Sequence, residues 1–456
     1  MKKKYTGILP LALSAALILS ACGAQQTVKA DTEIAAAELA QEVDSVSMAE
    51  TESETASEEA STSDAYSEAF SKRDLSGDYD TQEAVTITLN NTAAAADSDL
   101  VSIDGSNVTI TGAGTYLLTG TLMGSVIVDA GEEDKVQLVL DGVTIQSDSF
   151  AAIYVRQADK VFVTLADGTV SQLSNGGVFT LIDDNDVDAV IYAKDDITFN
   201  GSGTLRISSP AGSGIVGKDD VTITGGTYEI AAAKHAIRAK DSLDIADGSF
   251  TLKAGEDGLH AENSDDETLG NLFIAGGSFT IEAADDAVHA NGKLQIDGGT
   301  FQITAAEGLE ATYIQINDGE ISISASDDGI NAASKVSAYT PTVEINGGTV
   351  TIVMGAGDTD GVDSNGDVII NGGTVDVTGN SAFDFDGSAQ YNGGTIIVNG
   401  QQVDSIPNQM MGGFGGGMMG GMQGGMNGGM NGGMNGGMNG GMNGTGGMRG
   451  AMGRHG

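Results

Sequence analysis

One short string returns along the middle of the chain: ITGGTYEI from Ile223, IADGSFTL from Ile245, IAGGSFTI from Ile274, IDGGTFQI from Ile296, INDGEISI from Ile316, INGGTVTI from Ile345, INGGTVDV from Ile370 and YNGGTIIV from Tyr391. The starting positions set a period of 20 to 29 residues. FNGSGTLRI from Phe199, LADGTVSQL from Leu165 and LDGVTI from Leu140 carry the pattern backward with more drift. Within a copy, apolar and polar positions alternate with period two, the pattern of a strand with one buried face. A unit this short cannot cover its own apolar face, so the copies must stack. Three short strands per period, separated by glycine turns, predict an all-β chain folded as a parallel β-helix, a solenoid. A β-propeller is the competing arrangement, but its blades need about 40 to 50 residues and usually carry tryptophan, and this chain has no Trp.

The small and polar residues of the repeat have structural readings. Gly-Gly supplies a bend with positive φ or close backbone approach. Asn317, Asn346, Asn371 and Asn392 stand at that bend, where stacked amides hydrogen-bond along the solenoid. Thr227, Ser249, Ser278, Thr300, Thr349, Thr374 and Thr395 follow the glycines and face outward. Glu320 and the serines break this ladder, which argues against an ice-binding surface.

The ends differ in kind. Lys2, Lys3 and Lys4 precede the apolar run from Ile8 to Leu19, too short to span a bilayer, and Leu19-Ser20-Ala21-Cys22 reads as a lipobox. Residues 1–22 are therefore expected to be a lipoprotein signal, with Cys22 the lipid-modified first residue of an exported, membrane-anchored or cell-surface protein. Cys22 is the single cysteine, so no internal disulfide is available. Residues 23–80, rich in Ala, Ser, Thr and Glu, are expected to be a disordered acidic linker, because they hold too little apolar surface to offset ordering entropy. Residues 81–406 form the predicted solenoid. Residues 407–456 form a Gly/Met/Asn-rich tail, expected to be disordered, in which Met422, Met426, Met430, Met434, Met438 and Met442 recur every four residues.

The formal charge is −44. It disfavours nucleic acid and anionic membrane surfaces as direct partners and leaves cations and neutral ligands open. Much of the acidity is periodic: EDGLHA from Glu256, DDAVHA from Asp285, AEGLEA from Ala306, DDGINA from Asp327, TDGVDS from Thr359 and SAFDFDG from Ser381. Aligned, Asp257, Asp286, Glu307, Asp328 and Asp360 make one column. His260, His289, Glu310, Asn331, Asp363 and, with a one-residue slip, Asp384 make a second. KHAIRA places Lys234 and His235 beside the first column and Arg238 in the second, so the stripe runs from cationic to anionic.

Equivalent side chains on stacked strands sit about 4.8 Å apart, where two unit charges repel by about 0.9 kcal/mol in water and about 3.5 kcal/mol at an effective dielectric of 20. Calcium relieves that repulsion, since its oxygen ligands lie at about 2.3 to 2.6 Å, and carboxylates without thiolates favour a hard ion. The calcium candidates are Asp257, Asp286, Glu307, Asp328, Asp360 and Asp363. His260, His289, Glu310, Asn331 and Asp384 are candidate ligand contacts, the histidines as exposed ladder residues. Solvated turn aspartates are the plain alternative. A zinc site is disfavoured, because two imidazoles one coil apart lack further ligands. No GxSxG, HExxH, CxxC or phosphate-loop pattern is present.

GAGTYLLTGTLMGSVIVDA (Gly112 to Ala130), VQLVLDGVTIQSDSFAAIYV and KVFVTLADGTVSQLS, followed by the Gly-Gly coils, resemble the bacterial lipoproteins called carbohydrate-binding domain-containing proteins, over roughly Ala84 to Asn399. The resemblance implies a right-handed parallel β-helix shaped like pectate lyases, with bound calcium and affinity for acidic polysaccharides such as polygalacturonate and for cellulose. The first functional reading is thus a surface-anchored, monomeric module that binds polysaccharide through calcium. A second is a calcium-dependent polysaccharide lyase, with Lys234, Arg238, Lys240, Lys253 or Lys293 as base. A third is a structural adhesin without a small ligand. The missing tryptophan suits polyuronate better than stacked neutral cellulose.

Overall fold

The computed structural model describes residues 65–356 and 359–408. The chain divides into two units, Met1–Thr55 and Ala56–Gly456, and everything described lies in the second. Cys22 and the methionine repeat fall outside the described residues.

Nearly all of the regular structure in the described residues is strand. Each repeat contributes three strands, and each pairs in parallel with its equivalent in the next repeat. Thr227–Ala232, Ser249–Ala254, Ser278–Ala283, Thr300–Ala305 and Glu320–Ala325 form one such ladder. Ser242–Ile245, Asn271–Ile274, Lys293–Ile296 and Tyr313–Ile316 form a second. Ile237–Ala239, Leu259–Ala261, Asp286–Ala290, Glu307–Ala311, Ile330–Ala332, Asp360–Ser364 and Ser381–Phe385 form the third, which carries the acidic stripe. The three-strand period is the arrangement the repeat spacing requires.

Alternating patterns become alternating burial: Ser249–Ala254, Ser278–Ala283 and Thr300–Ala305 each bury every second residue. Their inward side chains fill one apolar core shared by all three ladders. At its centre Tyr228, Phe250, Phe279 and Phe301 stack with centroids 5.0, 4.7 and 4.5 Å apart. In-register stacking puts like on like, so planar rings lie offset face to face, a favourable arrangement for aromatic pairs. The strand pairing turns antiparallel at both ends, where Val85–Asn91 meets Ala93–Ala95 and Thr395–Val398 meets Gln401–Val403. Such hairpins blunt edges that would otherwise recruit further strands.

The bends behave as the sequence implies. Asn346 donates to Asn317 at 2.8 Å, Asn371 to Asn346 at 2.7 Å and Asn392 to Asn371 at 2.7 Å. Gly299 has φ +105, and a Cβ there would lie 2.9 Å from the carbonyl oxygen of Gly277 one repeat back. Any side chain would force the repeats apart at that point.

Residues 65–80 correct the linker boundary. They form a short helix over 65–69, a turn over 72–75 and an irregular strap packed on the sheet. Phe70 is buried with its ring 5.9 Å from Phe273, and the Arg73 guanidinium lies 4.7 Å over Phe162. Asp74 is buried against Lys160 at 2.9 Å and accepts from Thr198 Oγ1 at 2.7 Å. Its carbonyl accepts from Thr224 Oγ1 at 2.7 Å and from Asn200. The segment is polar overall, but its few anchoring side chains find partners 86 to 203 residues away in sequence. At the other end Asn408 donates to the carbonyl of Phe385 at 2.8 Å, two residues past the predicted end of the solenoid at 406.

Candidate functional site

Strand pairing on the third ladder reproduces the second column residue by residue. Arg238 pairs with His260, His260 with His289, His289 with Glu310, Glu310 with Asn331, Asn331 with Asp363 and Asp363 with Asp384. The one-residue slip needed for Asp384 is real. In the first column Asp286 pairs with Glu307, and Ser381 takes the place beside Asp360. Asp257 and Asp328 join through the main chain: Asp257 Oδ1 accepts the amide of Asp286 at 3.0 Å, and Asp328 Oδ1 accepts the amide of Asp360 at 3.0 Å. These two carboxylates therefore tie down the next repeat with one oxygen each, and the second oxygen of Asp257 meets His235 and His260. Gly329 makes the close stacking possible, since a Cβ there would lie 2.4 Å from the carbonyl oxygen of Gly361.

The site is less exposed than turn aspartates would be. Asp257, Asp286, His260, His289 and Glu310 are buried, and Glu307, Asp328, Asn331, Asp360, Asp363 and Asp384 are half-buried. This corrects the expectation that His260 and His289 are exposed ladder residues. Their rings stack 4.6 Å apart, and His260 meets His235 at a tilt, with centroids 4.4 Å apart. His260 Nδ1 lies 2.6 Å from Asp257 Oδ2, and His289 Nδ1 lies 2.7 Å from Asp286 Oδ2 and 2.9 Å from Glu310 Oε2. Neighbouring carboxylates thus supply the additional donors that the sequence alone does not show beside the imidazoles.

The electrostatics divide the stripe. At the cationic end, burial raises Asp257, but hydrogen bonds from His235 and His260 outweigh it and hold the carboxyl well below the usual range. Glu310 also resists burial, held down to about 2 by His289 and Lys335 among its partners. Burial lowers His289, yet its contacts with Asp286 and Glu310 push it up to about 10. Toward the anionic end compensation fails. Burial and then Glu310 push Glu307 up to about 8. Burial together with nearby aspartates pushes Asp328 and Asp363 up to about 6. Without a cation, these carboxylates take up protons near neutral pH.

Three buried side-chain oxygens in the two columns, Asp286 Oδ1, Asn331 Oδ1 and Asp384 Oδ1, have no hydrogen-bond partner. Leaving a buried acceptor unpaired costs about 1 to 3 kcal/mol, and more when charged. Oxygen acceptors without donors are what a hard cation requires, so the residues present fit calcium.

The five basic side chains considered as lyase bases separate. Arg238 lies in the second column and Lys234 pairs with Asp188 at 2.7 Å. Lys240 pairs with Asp265, while Lys253 with Glu282 and Lys293 with Gln295 lie on the other two ladders. The amine in the groove itself is Lys335, 2.8 Å from Glu310 Oε2. Lys335 belongs to the connection between Ile330–Ala332 and Thr342–Ile345, outside the repeat, so no periodic signal marks it. Glu256, Glu262 and His235 also line the groove.

A curated protein from Acetivibrio thermocellus, described as a carbohydrate-binding domain-containing protein, is 38% identical over 150 residues, covering 32% of this chain and 52% of that protein. The chain thus spans about half the length of this relative. A solved structure described as the polysaccharide lyase-like protein from C. thermocellum, a gadolinium derivative, aligns at 33% identity with a TM-score of 0.49, covering 51% of this chain and 94% of the other. The family model of the carbohydrate-binding domain-containing protein matches residues 104–361 and 309–405, and the chain belongs to that family.

Proposed function

We propose that this protein binds extracellular polysaccharide, and that its repeats close into a right-handed parallel β-helix whose acidic columns hold calcium. The observation that carries this reading is the set of buried, unpartnered oxygens of Asp286, Asn331 and Asp384, in columns where burial and neighbouring carboxylates push Glu307 and Asp328 upward. Asp286, Glu307, Asp328, Asp360 and Asp363 would hold the ions, with Glu310, Asn331 and Asp384 completing the oxygen set. Bound calcium would supply open positions for sugar carboxylates and reverse the local sign of charge. Residues 81–406 carry 12 Lys and Arg against 49 Asp and Glu, a net charge of 12 − 49 = −37, and would otherwise repel an acidic polymer. Acidic, polyuronate-type chains are therefore the substrate class. Cys22 would anchor the protein to a membrane through lipid, exporting the binding surface to the cell exterior.

Binding of polygalacturonate to the full chain, measured with calcium and with chelator, tests this reading. Calcium-dependent binding supports it, and binding that persists unchanged in chelator contradicts it. Lys335 in the groove beside Glu310 favours one second reading, a lyase in which this amine takes a proton next to a uronate carboxylate. Unsaturated products absorbing in the ultraviolet would show it, and intact polymer after long incubation would leave binding as the function.

A further inference from the structure

Two imidazoles at the cationic end of the stripe have both ring nitrogens against oxygen. His235 Nε2 lies 3.0 Å from Glu256 Oε2, and His235 Nδ1 lies 3.2 Å from Asp257 Oδ2. His260 Nε2 lies 3.2 Å from Glu262 Oε2, and His260 Nδ1 lies 2.6 Å from the same Asp257 Oδ2. A neutral imidazole has one N–H. With that hydrogen donated from Nε2 to the glutamate, Nδ1 keeps a lone pair. The amide of Asp257 lies 3.4 Å from His235 Nδ1, a long contact that an ion on that nitrogen would displace. In that tautomer two nitrogen lone pairs and a carboxylate oxygen face one another, and a cation between them would replace the Nδ1–H hydrogen bonds to Asp257 that the imidazoles make without it. A carboxylate on the far ring nitrogen is also the arrangement that orients metal-binding histidines and raises their basicity.

We propose that His235 Nδ1, His260 Nδ1 and Asp257 Oδ2 form a site for a borderline divalent transition-metal ion of the zinc class, separate from calcium on the acidic repeats. Imidazole nitrogen suits zinc, copper and nickel, whereas calcium takes oxygen. The three donor atoms lie within 4.8 Å of one another. On one tetrahedral ion with bonds of about 2.0 to 2.2 Å they would stand about 3.3 Å apart. The His235–Asp257 pair already has that separation, and the His260–Asp257 pair must open by less than about 1 Å. Asp286, buried with Oδ1 unpartnered, and His289 form the adjoining cluster with Asp257. Asp286 is therefore a neighbouring source of a fourth oxygen. The inference concerns the same stripe as the calcium reading and goes beyond it without requiring it.

The test uses the chelator-stripped full chain, titrated with Zn²⁺ by calorimetry in excess calcium, and loaded with Cu²⁺ for electron paramagnetic resonance. The parent should bind Zn²⁺ despite the calcium, and its Cu²⁺ spectrum should show nitrogen coupling from imidazole. His235→Ala with His260→Ala should abolish both signals, and Glu262→Gln should weaken Zn²⁺ binding by about 10- to 100-fold. Asp363→Asn should leave Zn²⁺ binding unchanged. Absence of Zn²⁺ binding by the parent, a Cu²⁺ spectrum without nitrogen coupling, or unchanged binding in the double variant would overturn the site and leave imidazoles that only hydrogen-bond to Asp257. If the double variant does not fold, the parent spectrum decides. Calcium titration of the same proteins keeps the readings apart, since loss of calcium binding with Zn²⁺ binding intact sinks only the calcium proposal.

Discussion

The backbone amide of Asp286 donates to Asp257 Oδ1 at 3.0 Å, whereas Asp286 Oδ1, equally buried, accepts nothing. One carboxylate of the column is thus part of the frame, and the next is left with an open oxygen. Asp257→Ala should cost about 1 to 3 kcal/mol of stability, because it strands the Asp286 amide. Asp286→Asn keeps the shape and removes a buried charge, so it should cost little in chelator and should forfeit the stabilisation that calcium gives the parent. Denaturant unfolding of both variants with and without calcium checks this. Equal behaviour of the two would contradict the division of roles.

The strap at Asp74 gives a pH dependence with a defined sign. Burial raises this carboxyl, but hydrogen bonds from Ser71, Thr198 and Lys160 outweigh it, and its net shift is downward. A carboxyl lowered in the folded state contributes stability above its unfolded value, about 3.9, and loses it as pH falls toward the folded value. Proteolytic protection of residues 70–80 should therefore be full at neutral pH and fall in acid, below the ordinary carboxylate range. Asp74→Ala should release the strap at neutral pH, at a cost of about 3 kcal/mol for leaving Lys160 without its buried partner. Equal protease resistance of parent and variant at pH 7 would show that the strap is held elsewhere.

Phe279 sits between Phe250 and Phe301 in the core stack. Phe279→Ala should cost about 3 to 5 kcal/mol, as a large buried ring is lost and the neighbouring repeats cannot close the gap. Thr300→Ala, one ladder position away on the exposed face, should change stability by less than about 0.5 kcal/mol. Thermal unfolding of the pair checks the assignment of faces.

Stacking in register explains why so much of the site is legible in the sequence. When every strand pairs with its equivalent one repeat on, alignment of EDGLHA with DDAVHA becomes spatial adjacency, and His260 meets His289 as the letters suggest. The asparagine ladder follows for the same reason. What the repeats do not encode is what comes from outside them. Lys335, which pairs with Glu310, leaves no periodic trace. The strap over 65–80 is hidden by its polar composition, because Phe70, Arg73 and Asp74 dock on partners that no local pattern announces. Periodicity also shows columns without showing which oxygens the backbone already uses, as at Asp257 and Asp328.

Cys22 as a lipid anchor predicts a change of location. Cys22→Ser should release the protein into the medium, detected by fractionation and blotting. Retention of the variant in the membrane fraction after washing without detergent would count against the anchor.

Polygalacturonate binding by the parent and by Asp286→Ala with Asp328→Ala, each in calcium and in chelator, tests the central claim most directly. The account predicts binding by the parent in calcium only, a rise in its melting temperature with calcium through mass action, and loss of both in the double variant, with Thr300→Ala unaffected. Polygalacturonate binding that is the same in chelator, or calcium binding by the double variant equal to that of the parent, would contradict it.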